Sequence, residues 1–387
     1  MVFPDPGKLG LMPKVALAYS GSLDTTICVQ YLRQVKGMKV YTFSANLGQP
    51  EYLAPLAERA VELGAAAAHL ADLRDKFARD YIFPCIRANA IYEQGYFLFS
   101  ALSRPLIVEE LVQIADDEGC EYIAHGSRGI GNDMLRITNC IRAVAPSMKV
   151  LTPLVDLGLR SPKDDLEYAR KNGLQFESEK QTVYNVEQNL WGNNIQLRDM
   201  KDTWEEPPKD TYILTSPPED SPVKPAVIEI EFREGIPVGV DGEELSPVQL
   251  IDELNKIGGR SSIGRFDVVE NRISGLKTRE IYESPAAAIL LTAHRALESI
   301  TLEREVMHFK ESLSQRYADL VYEGKWFLSV RQGLDAFFSK INENVTGTVR
   351  LSLCRGAITV TGRKSPHSLF EPPLTSSPSP TSFKIAR

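Results

Sequence analysis

Small and hydroxyl-bearing residues crowd a loop near the start of the chain. The apolar run VALAY (15–19) stops abruptly, and S-G-S-L-D-T-T follows over 20–26. A strand leading through such a loop into a helix exposes backbone N–H groups at the positive end of the helix dipole, which attracts phosphate. Asp24 could cap the helix or bind Mg²⁺. The loop predicts an anion site, while a merely capped helix would need only one of these residues.

A second polar loop, H-G-S-R-G-I-G-N-D (125–133), follows another short apolar run, EYIA (121–124). Five apolar runs alternate with amphipathic stretches at 25–35, 52–63 and 105–118, and the runs are KVALAY, KVYTFSAN, AAAAHLAD, EYIAHGS and KVLTPLV. This alternation predicts a parallel sheet with helical crossovers. Ligands of such sheets bind beyond the carboxyl ends of the strands, so both loops are expected to face one crevice.

The alternation of apolar runs with amphipathic stretches ends at about residue 170. A proline- and charge-rich segment (207–225) reads as a long connection, and two stretches (226–242 and 348–363) alternate apolar and polar residues around turns, as antiparallel hairpins do. Ser284–Leu320 is predicted to form one long helix or a helix pair. We predict an α/β protein with an N-terminal extension (1–13), a parallel-sheet domain (14–170), a second α+β domain (171–365) and a loosely ordered tail (366–387).

Composition narrows the class of protein. A net charge of −7 argues against nucleic-acid binding through bulk electrostatics. The five cysteines form no C-x-x-C pair, and their odd number fits reduced thiols in a cytoplasm. The start of the chain does not resemble a signal peptide, and we expect no membrane span.

The loop motifs bear a specific resemblance to a known family. S-G-S-L-D-T-T resembles the pyrophosphate loop of the ATP pyrophosphatase (PP-loop) superfamily, and most closely that of the argininosuccinate synthase family. Further motifs of that family recur in its order and spacing over residues 14–370, namely SANLGQ (44–49), FPCIRANAIYEQGYFLFSALSRPL (83–106), AHGSRGIGNDMLR (124–136), VYNVEQNLWG (183–192), GRFDVVENRISGLKTREIYESP (264–285) and GRKSPHSLF (362–370). The resemblance implies a Rossmann-like PP-loop domain followed by a synthetase domain.

The resemblance also implies an activity. This family uses ATP to join citrulline to aspartate, giving argininosuccinate, AMP and pyrophosphate, with Mg²⁺ sharing the charge of the triphosphate. Attack of the ureido oxygen on the α-phosphorus gives an adenylated intermediate, from which the amine displaces AMP. The implied partners are these small molecules and further copies of the chain, as a dimer or a tetramer. The tail looks shorter than the C-terminal segment used in the family's tetramer, which leaves both states open.

Site residues carry over from the resemblance by position. ATP and pyrophosphate are expected to contact Ala18, Tyr19, Ser20, Gly21, Ser22, Leu23, Asp24, Thr25, Thr26, Ala45 and Gly126, with Asp24 as a candidate Mg²⁺ ligand. The amine substrate is expected at Arg128, Asn132 and Asp133. The ureido substrate is expected at Tyr96, Asn132, Arg136, Asn185, Asn194, Glu270 and Tyr282, where an arginine suits a carboxylate and a glutamate suits an ammonium. His125, His294 and Trp191 are expected to be structural.

Departures from the family pattern cluster at the same loops. Ser22 replaces a glycine, which a negative φ would allow, and Arg128 and Ile130 replace a threonine and a lysine of the second loop. Arg128 could supply the missing cation or bind a more anionic amine. Asn185 and Asn194 replace serines, Met134 a glutamine and Phe99 a glycine.

These departures leave other functions open. One is a paralogous ligase with a different ureido or amine substrate, and another is a non-catalytic homologue that binds nucleotide. An RNA-modifying pyrophosphatase of the same superfamily ranks last, because it would need catalytic cysteines near the loop or a basic surface.

Overall fold

Strands and helices alternate through the first part of the chain, as predicted. The computed structural model describes residues 12–50, 53–93, 95–129, 131–174, 184–197 and 202–371, without the side chains of residues 184, 185 and 197. Five parallel strands form the first sheet: β1 (Lys14–Ala18), β2 (Lys39–Asn46), β3 (Ala67–Asp72), β4 (Tyr122–Ala124) and β5 (Lys149–Leu151). Their order is β3-β2-β1-β4-β5, so the chain changes direction across the sheet between β1 and β4. Each of the five apolar runs contains one of these strands.

Eight helices accompany this sheet within the described residues. They are α1 (Leu23–Gln30), α2 (Leu53–Glu62), α3 (Arg74–Lys76), α4 (Phe83–Ala88), α5 (Phe99–Glu118), α6 (Asn132–Val144), α7 (Pro153–Asp156) and α8 (Pro162–Lys171). Wider π-helical turns extend α1 through Tyr31–Val35 and join α3 to α4 through Phe77–Ile82. Helix α5 begins six residues before the predicted amphipathic stretch and carries Pro105 inside it.

Two antiparallel sheets make up the rest of the described chain. One contains β8 (Ala226–Arg233), β9 (Ile236–Val240), β10 (Glu243–Glu244), β13 (Gly347–Cys354) and β14 (Ala357–Lys364), which includes both predicted hairpins. The other has the order β11-β12-β7-β6 and was not predicted; its strands are β6 (Tyr184–Asn189), β7 (Gly192–Leu197), β11 (Arg265–Asn271) and β12 (Lys277–Glu283). The predicted fold class is confirmed.

Four helices pack with these two sheets: α9 (Pro247–Arg260), α10 (Pro285–Thr301), α11 (Arg304–Tyr322) and α12 (Ser329–Ile341). The stretch Ser284–Leu320 therefore holds a helix pair, one of the two predicted forms. None of the helices in the described part of the chain is long and apolar enough to cross a membrane. All five cysteines are free.

A buried carboxylate fixes the end of β12 beside the loop at 213–215. Glu283 is fully buried, and its two oxygens accept hydrogen bonds of 2.6–3.0 Å from Asn193 Nδ2, the Thr215 hydroxyl and the backbone N–H groups of Ile213, Leu214 and Thr215. An anion that accepts this many donors offsets the cost of its burial.

Replacing Glu283 with glutamine is expected to lower the free energy of unfolding by about 2–4 kcal/mol, because a buried amide turns an N–H group toward donors. The urea midpoint measures this loss. Glu253→Gln, at a half-exposed side chain of α9, provides the control. Equal midpoints for the two variants would contradict the assigned role of Glu283.

Candidate active site

The two polar loops meet at the point where the first sheet changes direction. The loop after β1 and the loop after β4 follow neighbouring parallel strands, and Val15 and Leu17 pair with Tyr122 and Ala124. Gly126 packs against the first turn of α1, where an added Cβ would lie 3.1 Å from Thr25 Cγ2. The expectation of one shared crevice is met, at the place where doubly wound sheets bind their ligands.

Three hydroxyl groups gather at the N-terminus of α1. The Ser20 hydroxyl donates to Ser22 Oγ at 3.0 Å, and each of these two oxygens lies 3.3 Å from Thr25 Oγ1. The turn depends on Gly21, whose φ is +76° and whose added Cβ would lie 2.3 Å from Leu56 Cδ2. Together with the unpaired N–H groups of the first helical turn, the hydroxyls form a site that fits a phosphate.

The serine at position 22 suits this backbone. Its φ is −64° and its ψ is 164°, an extended conformation open to any residue, and its hydroxyl accepts from Thr25 N at 3.5 Å as the cap of α1. The cap is thus Ser22, and Asp24 lies in the first turn. The left-handed conformation of this loop falls on Gly21, so the replacement of the next glycine by serine causes no backbone strain.

Variants at these two positions should behave differently. Ser22→Gly is expected to weaken ATP binding by about two- to fivefold, because it removes one of the three hydroxyl groups but leaves the loop backbone unstrained. Gly21→Ala is expected to weaken it by about tenfold or more, because the new Cβ meets Leu56 and the left-handed φ is strained. Calorimetric titration with ATP measures both. An equal loss in the two variants would contradict this assignment of the strain.

Arg128 reaches across the crevice from the loop after β4. Its Nη2 donates to Asp24 Oδ1 at 2.9 Å and also contacts Asp165 Oδ2. Asp165 lies on α8 and is buried. Burial, aided by the charge of Asp24, raises the pKa of Asp165, while Arg128 opposes the shift. One guanidinium therefore joins the first turn of α1 to α8.

Asp133, in the first turn of α6, lies between two arginines. Its Oδ2 accepts from Arg104 Nη2 at 2.6 Å, and its Oδ1 lies 3.2 Å from Arg136 Nη1. Arg104 also contacts Glu187, whose Oε1 accepts from the Ser100 hydroxyl at 3.0 Å. Burial opposes ionisation of Asp133, but the two guanidinium groups outweigh it and hold the pKa of its carboxyl well below the usual range.

A cage of tyrosines surrounds Glu270, which is buried on β11. Its oxygens accept from the Tyr282 hydroxyl at 2.8 Å and from the Tyr322 hydroxyl at 2.7 Å. Tyr322 also accepts from Asn132 Nδ2 at 2.8 Å. Burial raises the pKa of Glu270, although both tyrosine hydroxyls act in the other direction. Hydrogen bonds therefore run without a break from Glu270 to Asn132, beside Asp133.

Aromatic rings and Arg136 close this cage. Tyr96 stacks on Tyr282 with ring centroids 4.7 Å apart, and the Arg136 guanidinium lies 4.7 Å from the centre of the Tyr322 ring. Arg136 Nε donates to the Tyr322 backbone oxygen at 2.7 Å. The Tyr96 hydroxyl accepts from Ala101 N at 3.0 Å and is therefore turned into the protein.

Of Asn185 and Asn194, both predicted to contact the ureido substrate, the structure describes the side chain of Asn194. Asn194 Nδ2 donates to Glu280 Oε2 at 3.0 Å, and Asn194 Oδ1 is buried without a partner in the described structure. Arg272 Nη2 lies 3.1 Å from the other oxygen of Glu280. The side chain of Asn185 lies outside the described part, as does Ile130.

Three further residues predicted to contact ATP lie on or directly after the strands that lead to the crevice. Ala18 ends β1, Ala45 lies on β2, and the backbone oxygen of Tyr19 accepts from the Ser44 hydroxyl at 2.6 Å.

Trp191 packs in the core and His294 bonds to Asn89 and Asn342, in keeping with structural roles. His125 is buried, and burial lowers its pKa to about 4.

Sequence reasoning missed four residues that contact the site: Arg104, Glu187, Glu280 and Tyr322. Of these four, Glu280 is a charged residue on the buried part of β12, and a buried charge requires a partner. No group of three or more His, Cys, Asp and Glu side chains among the described residues is placed to hold a metal ion. Asp24, with a partly exposed carboxylate, fits an ion carried by a nucleotide better than one held by protein ligands alone.

Two family models match nearly the whole chain. The arginosuccinate synthase N-terminal HUP domain matches residues 14–175, and the arginosuccinate synthase C-terminal domain matches residues 184–386. A solved structure of a predicted tRNA methyltransferase subunit from Methanocaldococcus jannaschii covers 41% of this chain and 76% of its own at 18% identity and a TM-score of 0.29, a similarity too distant to inform function.

Curated relatives agree with the family models. Argininosuccinate synthase of Pelotomaculum thermopropionicum is 45% identical over 94% of this chain and 91% of its own length. Those of Caldanaerobacter subterraneus and Acaryochloris marina are 45% and 43% identical over 92% and 95% of this chain, and 87% and 92% of their own. The resemblance predicted from the motifs is confirmed, and with it a family of ligases that form C–N bonds. With both domain models matched and the two loops facing one crevice, the chain belongs to the argininosuccinate synthase family.

Proposed function

We propose that this protein joins citrulline to aspartate at the expense of ATP, giving argininosuccinate, AMP and pyrophosphate. ATP is the nucleotide of the family, and the hydroxyl-lined N-terminus of α1 is the place that fits its phosphates. Mg²⁺, if carried in on the nucleotide, would neutralise phosphate charge, with Asp24 as the candidate protein ligand.

The cage around Glu270 suits an amino acid with a ureido side chain. Glu270 offers a buried negative charge for the α-ammonium group, and Arg136 offers a planar cation for the α-carboxylate. The ureido oxygen attacks the α-phosphorus of ATP, an O–P bond forms, and pyrophosphate leaves. A ureido carbon is a poor electrophile and its oxygen is a poor leaving group. Adenylation of that oxygen allows it to leave as part of AMP in the second step. We assign Tyr96, Asn185, Asn194 and Tyr282 to the same substrate.

Aspartate supplies the nitrogen that attacks the ureido carbon and displaces AMP. Asn132 and Asp133, at the start of α6, are the residues proposed to hold it. Since Arg104 and Arg136 keep the pKa of Asp133 low, its carboxylate is a weak proton acceptor. We therefore assign Asp133 to holding the amine by charge rather than to removing its proton.

One observation carries this proposal: the unbroken hydrogen-bond path Glu270–Tyr322–Asn132 ends beside Asp133. It links the proposed ureido and amine sites, so the two reacting groups would be positioned by one connected set of side chains. The oligomeric state stays a prediction, as does the set of residues that contact each substrate.

The test is pyrophosphate release by the purified protein, with citrulline and aspartate each omitted in turn. The proposal expects release that requires both substrates, with AMP formed in equal amount. Release that needs a different ureido compound or amine would identify a paralogous ligase. No release with any ureido compound, in a protein that still binds ATP, would favour a non-catalytic homologue.

A further inference from the structure

Arg128 is held at the crevice by two carboxylates from different elements. Nη2 bonds to Asp24 in the first turn of α1 at 2.9 Å and contacts Asp165 on α8. About a quarter of the Arg128 side chain is exposed, whereas Asp165 is almost completely buried. The carboxylates fix the position of the guanidinium beside the loop 20–26, so its placement costs little entropy when a ligand arrives.

Part of the guanidinium remains without an acceptor. Both contacts use Nη2, and across the described ranges neither Nη1 nor Nε of Arg128 has a hydrogen-bond partner. Nε is buried as well. Nη1 is therefore the donor left for an incoming ligand, and a guanidinium N–H group suits the oxygens of a phosphate.

We propose that Arg128 binds the polyphosphate of ATP, and not the carboxylates of the amine substrate. This inference rests on the proposed function for the identity of the nucleotide. Ile130 stands where the family pattern has a lysine, and Arg128 would supply a cation at the phosphate loop in its place.

Among the described residues, Arg128 forms no hydrogen bond with Asn132 or Asp133, the residues of the proposed amine site. Asp133 is bonded to Arg104 and Arg136, and Asn132 to Tyr322, and among the described contacts Arg128 shares none of these partners. The partners of Arg128 lie instead on α1 and α8, and the hydroxyl groups of Ser20 and Ser22 lie at the N-terminus of α1. We expect a phosphate bound there to accept from Nη1, which neither carboxylate uses.

The experiment measures binding of inorganic pyrophosphate and of ATP to the full-length protein by calorimetry, without citrulline, so that no turnover occurs. Arg128→Thr is expected to weaken both by about tenfold or more, the loss of one charge-assisted hydrogen bond. Arg128→Lys should lose less, because the charge remains. Arg170→Thr, at an exposed arginine of α8, changes the net charge equally and is expected to leave both affinities unchanged.

A double variant separates phosphate binding from mere neutralisation of the carboxylates. Arg128→Thr with Asp165→Asn removes one cation and one anion together. If Arg128 itself binds phosphate, the double variant stays weak. Recovery of wild-type affinity would overturn the proposal, and so would an Arg128→Thr variant that binds pyrophosphate normally but has a raised KM for aspartate. If the wild type shows the expected binding pattern but never releases pyrophosphate from ATP, the proposed function fails while this inference holds.

Discussion

Glu270→Gln is expected to lower kcat/KM for citrulline by about 100-fold, the size of effect seen when one member of a buried charge contact is removed. Glutamine keeps the shape of the side chain but cannot offer a negative charge to an α-ammonium group. The phosphate loop lies on other elements, so the KM for ATP should stay within about twofold. Steady-state pyrophosphate release at varied citrulline and ATP measures both constants.

The matched control is Glu253→Gln, which removes a carboxylate from the half-exposed surface of α9. It should leave both constants unchanged. If Glu270→Gln raised the KM for ATP as strongly as it impaired citrulline, the substitution would be disturbing the fold, and Glu270 would not be assigned to one substrate.

The same residue predicts a pH dependence. Burial raises the pKa of Glu270, so its carboxylate gains a proton at a higher pH than an exposed glutamate does. Citrulline binding, which needs the charged form, should therefore weaken as the pH falls from about 8 toward about 5. In Glu270→Gln this decrease should be absent, since glutamine does not titrate. A decrease of the same size in both proteins would assign it to another group.

The local elements of the fold were predictable because each one leaves a short-range pattern. Strand β2 is buried over Val40–Ser44, and a continuous apolar run is what a strand covered on both faces requires. The predicted helical stretch beginning at Pro105 started too late. Proline favours the first turn of a helix, but here α5 begins at Phe99, where Tyr96 accepts from the Ala101 N–H group.

The sheet that carries the ureido site left no such pattern. Its strands β6 and β7 are rich in asparagine, a residue that disfavours strands. The amides of Asn193 and Asn194 nevertheless find acceptors in Glu283 and Glu280 on the neighbouring β12. These pairs are 90 and 86 residues apart in the chain, so only the folded structure brings them together.

The candidate site likewise has one part that the sequence predicts and another part that only the folded structure brings together. The phosphate loop was recognisable because its residues are consecutive and its geometry follows from one strand, one turn and one helix. Tyr322 lies 52 residues from Glu270, and Arg104 lies 83 from Glu187. Position within the family motifs pointed to Glu270 and Asp133, but two of the groups that shift their pKa values, Tyr322 on α11 and Arg104 on α5, come from distant helices. Electrostatic tuning of this site is therefore a property of the tertiary structure.

Asp133→Asn should separate the two steps of the reaction. The asparagine loses the charge proposed to hold the ammonium group of aspartate, and it leaves Arg104 and Arg136 to repel that group. Net pyrophosphate release with both substrates is expected to fall by about 100-fold or more. Citrulline-dependent exchange of labelled pyrophosphate into ATP reports adenylation alone, and it should stay within about fivefold of wild type, provided Arg136 keeps its contact with Tyr322.

Glu270→Gln should weaken both signals by about 100-fold at low citrulline concentration, because both steps require bound citrulline. Asp80→Asn, an exposed carboxylate with the same change of charge, is expected to lose neither. If Asp133→Asn abolished exchange together with net release, Asp133 would act in adenylation or in shaping the ureido cage through Arg136. If it kept both, aspartate would have to be held elsewhere. Opposite responses of the two variants in the exchange assay would place Glu270 at the first substrate and Asp133 at the second, at the two ends of the hydrogen-bond path through Tyr322 and Asn132.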